Sequence, residues 1–101
     1  MLEIKEYNFN IAGLTIGKIF KNGKIVTLVI DSGSYFYNKT NGSVVLKIPS
    51  EFAPKSLIVF NCTSLTGVNN NFRIETTGDL IKTSSDSIQG AYYFTITYMS
   101  N

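Results

Sequence analysis

Apolar side chains recur at every second position along most of this chain. Val26, Leu28 and Ile30 share one face of "KIVTLVI", and Val44, Leu46 and Ile48 share one face of "VVLKI". Ile58, Phe60 and Cys62 alternate with Leu57 and Val59, Phe72 and Ile74 alternate with Arg73 and Glu75, and Phe94, Ile96 and Tyr98 alternate with Tyr93, Thr95 and Thr97. A two-residue period is the signature of a strand with one face on a core. These runs are also rich in β-branched and aromatic residues, which fit a pleated surface.

Turn signals separate the runs. Asn22-Gly23 and Asn41-Gly42 are hairpin dipeptides, because a type I′ turn needs positive φ at both central residues. Thr77-Gly78-Asp79 divides "NFRIE" from "LIKT", and Gln89-Gly90 introduces the last run. The polar stretches 63–71 and 83–87 read as loops. No segment has helical periodicity beyond a single turn at residues 50–52, which Pro54 stops. The pattern predicts an all-β fold, a compact antiparallel β-sandwich or barrel of about eight short strands.

Both prolines, Pro49 and Pro54, fall in one connection between two apolar runs. Proline has no N–H to donate to a ladder, so Pro49 ends one strand and Pro54 delays the next. "SEFA" between them is expected to be an ordered crossover with Phe52 turned back onto the core. The first ten residues alternate as well, with Leu2 and Ile4 on one face and Tyr7 and Phe9 on the other. They read as an edge strand or as an arm from an upstream stem, with residues 11–101 as a single domain. A chain of 101 residues has room for one domain and a thin core.

Composition narrows the chemistry. Charged residues are 16% of the chain, below the roughly 25% usual for soluble domains, so Asn, Ser, Thr and Tyr must solvate the surface. Such a surface suits neutral, hydrogen-bonding partners. The net charge is +2, and the lysines and Arg73 are scattered without a basic run. Nucleic acid, whose binding needs clustered cations, is therefore not an expected partner. No stretch approaches the ~20 apolar residues of a membrane span, so membrane insertion is not expected, and residues 1–10 show no secretory pattern. The Asn-x-Ser/Thr triplets at Asn38, Asn41 and Asn61 read as accidents of an Asn- and Thr-rich chain.

No histidine is present, which removes Ser-His-Asp and Cys-His catalysis and the commonest metal ligand. The single cysteine, Cys62, lies in an apolar run and reads as a small buried hydrophobe; it can form no internal disulfide and no ordinary zinc site. No glycine-rich phosphate loop occurs, and seven dispersed carboxylates read as surface groups. No catalytic residue, metal or cofactor is assigned, and the chain is not read as an enzyme.

The remaining candidates are polar and aromatic. "SGSYFYNKTNG" is read as a strand with Phe36 in the core and Tyr35 and Tyr37 outward beside Asn38, a set able to stack on a sugar ring and bond its hydroxyls. The same tyrosines could instead pack on a neighbouring strand or subunit. "TGVNNNFR" offers the amides Asn69 and Asn70 with Arg73 beside a loop, or else a solvated turn, and Asp86 in "SSDSIQG" is a third candidate.

Taken in order, "NGKIVTLVI", "GSVVLKIPSEFAPKSLIVF", "FRIETTGDLIKT" and "GAYYFTITYM" resemble the C-terminal head domain of tail-fibre, baseplate and receptor-binding proteins of tailed bacteriophages that infect Gram-positive bacteria. The shared pattern is a valine-rich strand opened by a turn, an IP-x-x-(F/Y)-x-P connection, a glycine followed by Asp-Leu, and an aromatic strand ending on Thr-Tyr. It spans roughly four-fifths of the chain. Ala53 stands where such domains often carry arginine, and the first ten residues lie outside the match. The resemblance implies a homotrimeric β-sandwich in the virion, at a tail tip or baseplate, contacting other tail proteins and adhering to host cell-wall saccharide. An alternative within the same organelle is a structural trimerisation or docking module with no sugar site.

Overall fold

The computed structural model describes residues 4–36, 42–83 and 91–100. Within them the chain forms eight strands in two antiparallel four-stranded sheets packed as a β-sandwich. Sheet A contains β1 (Ile4–Asn8), β2 (Ile16–Asn22), β3 (Ile25–Asp31) and β8 (Tyr93–Met99), in the order β1-β2-β3-β8. Sheet B contains β4 (Val44–Lys47), β5 (Ile58–Thr63), β6 (Asn69–Ile74) and β7 (Asp79–Lys82), in the order β4-β7-β6-β5.

The period-two reading holds in most strands. Val26, Leu28 and Ile30 of β3, Phe72 and Ile74 of β6 and Phe94 and Tyr98 of β8 point inward and are buried. Phe36, Phe72 and Tyr92 meet at the centre, with ring centroids 5.7 to 6.4 Å apart. A ring cluster of this kind supplies much of the apolar area that a domain of this size can bury.

Four local expectations are corrected. The stretch 63–71 is not all loop: Thr63 ends β5 and Asn69, Asn70 and Asn71 open β6, so residues 64–68 alone connect the two strands. Val44, Leu46 and Ile48 do not form one buried face: the register against β7 shifts between Val44 and Leu46, so Val45 and Leu46 are both buried while Val44 is exposed. One extra residue at a bulge turns the next side chain to the other face. In the β2–β3 hairpin, Asn22 pairs with Ile25, so the two central positions are Gly23 and Lys24 rather than Asn22 and Gly23; Gly23 supplies the positive φ of 63°. Finally, β3 and β4 belong to different sheets, so Gly42 opens no hairpin between them. Asn41 lies outside the described residues. The β6–β7 hairpin does turn at Gly78, where φ is 95° and a Cβ would overlap the Ile48 carbonyl oxygen.

The proline connection closes one end of the sandwich. β4 and β5 are opposite edges of sheet B, so the chain between them must cross the sheet's full width, about 14 Å at strand spacing. It does so through a 3-10 turn at Ser50–Phe52, and it is fixed by contacts to sheet A along the way. Phe52 is buried as a plug, and its carbonyl accepts a hydrogen bond from the Tyr98 hydroxyl at 2.7 Å. Lys21 Nζ donates to the Glu51 carbonyl at 2.7 Å, and Lys55 N–H to the Met99 carbonyl at 2.8 Å. Pro54 forms an isolated bridge with Ser100, whose own N–H bonds the Lys24 carbonyl in the β2–β3 turn. With φ locked at both prolines, the crossover loses less freedom on folding than an ordinary loop would.

Tyr98→Phe deletes the bond and leaves the Phe52 carbonyl unpaired in the interior, so a loss of about 1–2 kcal/mol is expected in urea denaturation. Burial also raises the Tyr98 phenol above its ordinary value of 10. The folded chain therefore holds this proton more tightly than the unfolded chain, and Tyr98's contribution is intact below pH 10 and lost as pH rises above it. The wild type is expected to lose more stability than Tyr98→Phe between pH 8 and pH 11; parallel alkaline profiles would contradict this.

Candidate functional site

The candidates on β6 divide between the two faces of one strand. Asn69 and Arg73 point outward, whereas Asn70 points inward and is fully buried. Its Nδ2 donates to the Tyr92 hydroxyl, which in turn donates to the Val68 carbonyl at 3.1 Å. Asn70 is thus a structural amide and offers nothing to an outside ligand. Tyr35 sits in a turn spanning residues 33–36, not in a strand, and is half-buried against Phe36 at 5.9 Å. Phe36 is core, as expected, but Tyr35 does not stand free on the surface beside it. Tyr37, Asn38 and Asp86 lie outside the described residues.

Around Asn69 the outer face of sheet B carries an amide cluster that the sequence reading did not assemble. Asn61 and Asn71 are direct cross-strand partners on β5 and β6, and Asn69 is their diagonal neighbour. Asn61 Nδ2 donates to Oδ1 of both Asn69 and Asn71 at 2.7 Å, and Asn69 Nδ2 returns a bond to Asn61 Oδ1 at 3.1 Å. Same-face pairs of this kind order one another. Because these amides bond each other, a ligand must compete for them. Arg73 continues the row, with Nε 3.5 Å from Glu75 Oε2.

Sheet A provides a concave alternative. β1 and β2 stay paired to Asn8 and Lys18, and Phe9 N–H extends the ladder to the Gly17 carbonyl at 2.8 Å. The chain then departs through a turn closed by Leu14 N–H to the Ile11 carbonyl, and Thr15 N–H to the Asp31 carbonyl fixes the return. Gly17 lies close under this turn: a Cβ there would meet the tip of the Leu14 side chain, which would have to shift, and press on Phe9. The result is a cleft of about 420 Å³ at the end of the sandwich opposite the proline plug. Asn8, Asn10, Thr15 and Lys18 present amide, hydroxyl and ammonium groups around it, over Ile11, Leu14 and Ile16. No carboxylate lines it, and Lys18 forms no ion pair among the described residues.

This lining can bind but has little means to catalyse. It has donors and acceptors for hydroxyls and an apolar floor for C–H faces, yet no paired acid and base for proton transfer. Among the described residues no three His, Cys, Asp or Glu side chains converge as metal ligands. The first ten residues read as an edge strand or as an arm, and Ile4–Asn8 form the edge strand β1; the cleft it helps to line was not among the site expectations. The available signal was Asn8-Phe9-Asn10 ahead of Gly13 and Gly17: one inward ring between two outward amides, followed by a turn.

Cys62 is buried, with Sγ 3.7 Å from the Tyr93 carbonyl, and burial pushes its thiol up. It is expected to resist alkylation at neutral pH until the domain unfolds, a comparison that mass spectrometry with and without denaturant makes directly. Rapid labelling of the native domain would contradict the closed packing between the ends of β5 and β8.

No family model matches the chain, and no curated protein matches it in sequence.

Proposed function

We propose that this domain is a non-catalytic adhesion module that holds host cell-wall saccharide, serving in the virion at a phage tail tip or baseplate. The observation that carries the reading is the β1–β2 cleft: two amides, a hydroxyl and one ammonium beside apolar side chains, with no carboxylate among the described residues that line it. A sugar presents that same combination of hydroxyls and C–H faces. The sparsely charged surface supports the reading, since a neutral polymer is held by many hydrogen bonds and not by ion pairs. The resemblance of the valine-rich strand, the proline connection and the closing aromatic strand supplies the phage context. A shallow site of this kind binds weakly alone, because hydroxyl contacts barely exceed their desolvation cost. Adhesion then comes from many copies acting together, which fits a homotrimer repeated around a tail organelle.

A second reading is a structural docking or trimerisation module of the same organelle, contacting other tail proteins and binding no sugar. It is favoured by large apolar side chains on the outer surface, among them Ile25, Val59 and Met99, each more than half exposed.

Titration of purified host wall polysaccharide, followed by NMR, separates the two. Saturable shifts at Asn8, Asn10 and Lys18 are expected, with Lys18→Ala and Asn10→Ala each weakening binding about three- to tenfold and Asn71→Ala changing it little. Absence of any saturable binding across wall materials would leave the structural module. Release of new reducing ends would overturn both readings in favour of an enzyme.

A further inference from the structure

We propose that Gly33, which does not line the cleft, is the positioning residue that sets the cleft's shape. Every lining residue comes from one stretch, Asn8 to Lys18. Phe9 N–H to the Gly17 carbonyl and Leu14 N–H to the Ile11 carbonyl close the turn within that stretch, but they do not seat it on the sandwich. The backbone bonds that tie residues 10–15 to the rest of the described chain all run to one place, the turn that follows β3. Thr15 N–H donates to the Asp31 carbonyl at 3.0 Å, and Ser34 N–H donates to the Gly13 carbonyl at 3.1 Å. One wall of the cleft is therefore seated through residues 13–15 on residues 31–34.

Gly33 occupies the contact between these two turns. Its φ is 52°, in the left-handed region that glycine enters freely. A Cβ there would overlap the Gly13 carbonyl oxygen and the Thr15 hydroxyl. The Gly13 oxygen belongs to the backbone, so no side-chain rotation relieves the overlap, and the Thr15 hydroxyl is the one that lines the cleft. The turns come this close because position 33 carries no side chain. Gly33 is itself held on both sides: its N–H donates to Asp31 Oδ1 at 3.2 Å, and its carbonyl accepts from the Ser32 hydroxyl at 3.4 Å. Ser32 is fully buried; its N–H donates to the Tyr92 carbonyl and its Oγ accepts from Tyr92 N–H, both at 2.8 Å. The path from core to cleft is continuous: Tyr92 holds Ser32, Ser32 and Asp31 hold Gly33, and Gly33 sets how near Thr15 comes.

A weak hydrogen-bonding site is sensitive to such placement, because each contact barely exceeds its desolvation cost and counts only if its group is already in position. A side chain at position 33 would push residues 13–15 away from the turn after β3 and carry Leu14 and Thr15 with them. Lys18 would stay, since the β2–β3 ladder pairs it with Val29. The hydroxyl and the ammonium would then no longer address one ligand. Gly78 supplies a matched comparison at the proline end of the sandwich. Its φ is 95°, and a Cβ there would also overlap a backbone carbonyl oxygen, that of Ile48. A positioning role for Gly33 predicts similar harm to folding at the two ends and harm to binding at only one. For affinity this role rests on the saccharide reading of the cleft; in the unliganded domain it rests on geometry alone.

Gly33→Ala and Gly78→Ala, each at a temperature where circular dichroism shows it folded, are titrated with purified host wall polysaccharide. Gly33→Ala is expected to weaken binding about tenfold and Gly78→Ala to leave it within about twofold. In NMR spectra without ligand, Gly33→Ala should displace the Leu14 and Thr15 amide signals and speed exchange of the Thr15 N–H, and Gly78→Ala should do neither. Should Gly33→Ala fail to fold, Asp31→Ala takes its place in both measurements. It removes the acceptor of the Gly33 N–H and should weaken binding about threefold, while Asp31→Asn, which keeps an acceptor there, should bind as the unaltered chain does. Unchanged affinity in Gly33→Ala or its replacement, or an equal loss in Gly78→Ala, overturns the proposal and leaves the saccharide reading standing. If the unaltered chain binds no polysaccharide, that reading fails and the unliganded spectra decide. Thr15 signals displaced by Gly33→Ala or its replacement, and not by Gly78→Ala, then support the positioning role; unmoved signals overturn it.

Discussion

Two buried tyrosines, one just before the last strand and one near its end, hold the two sheets in place relative to each other. Tyr92 reaches from the start of β8 into sheet B, where its hydroxyl joins Asn70 and the Val68 carbonyl. Its own backbone N–H and C=O are taken by Ser32 Oγ and Ser32 N–H at the end of β3. Tyr98, six residues on, performs the matching role at the other end through the Phe52 carbonyl. Apolar burial drives two sheets together but leaves them free to slide, because dispersion contacts have little direction. A phenol that must both bury its ring and satisfy its hydroxyl has few acceptable positions. The pair therefore fixes the stagger of the sheets, and with it the position of everything attached to their ends.

That constraint explains the placement of the prolines. The connection from β4 to β5 crosses the open end of the sandwich, where its backbone groups have no sheet to join. Tyr98, Lys21, Lys55 and Ser100 meet them one at a time. Such a crossover works only if its path is fixed beforehand, and a locked φ at Pro49 and Pro54 provides that. The rigid end lies opposite the cleft, so the loops around the cleft are free to vary while the fold is secured elsewhere.

The strands were legible in the sequence because a face buried on one side must alternate, and β3, β6 and β8 obey that rule residue by residue. What was not legible depends on contacts distant in sequence. The bulge that buries both Val45 and Leu46 is set by β7, more than thirty residues later. Asn70 looks like a surface amide among Asn69 and Asn71, and only the hydroxyl of Tyr92 makes it a core residue. Tyr35 alternates as convincingly as any strand residue, yet residues 33–36 turn, because Ser34 N–H bonds the Gly13 carbonyl and Tyr35 N–H bonds the Ser32 carbonyl. Of the surface candidates, Asn69 is exposed, but its partner Asn61 sits across a hairpin, and the cleft gathers residues from both sides of a turn.

The outer face of sheet A has its charge arranged along a single line. Along its diagonal run Glu6, Lys18 and Asp31; on one side of that line lie the cleft and its amides, on the other the uncharged rows of β3 and β8. Charged residues are few in this chain, and three of the sixteen stand on that boundary. Their strong hydration keeps water at the dividing line and sets the wet end of the face apart from its uncharged rows. Beyond that line the hydroxyls of Thr27 and Thr97 lie 3.4 Å apart and answer each other across β3 and β8.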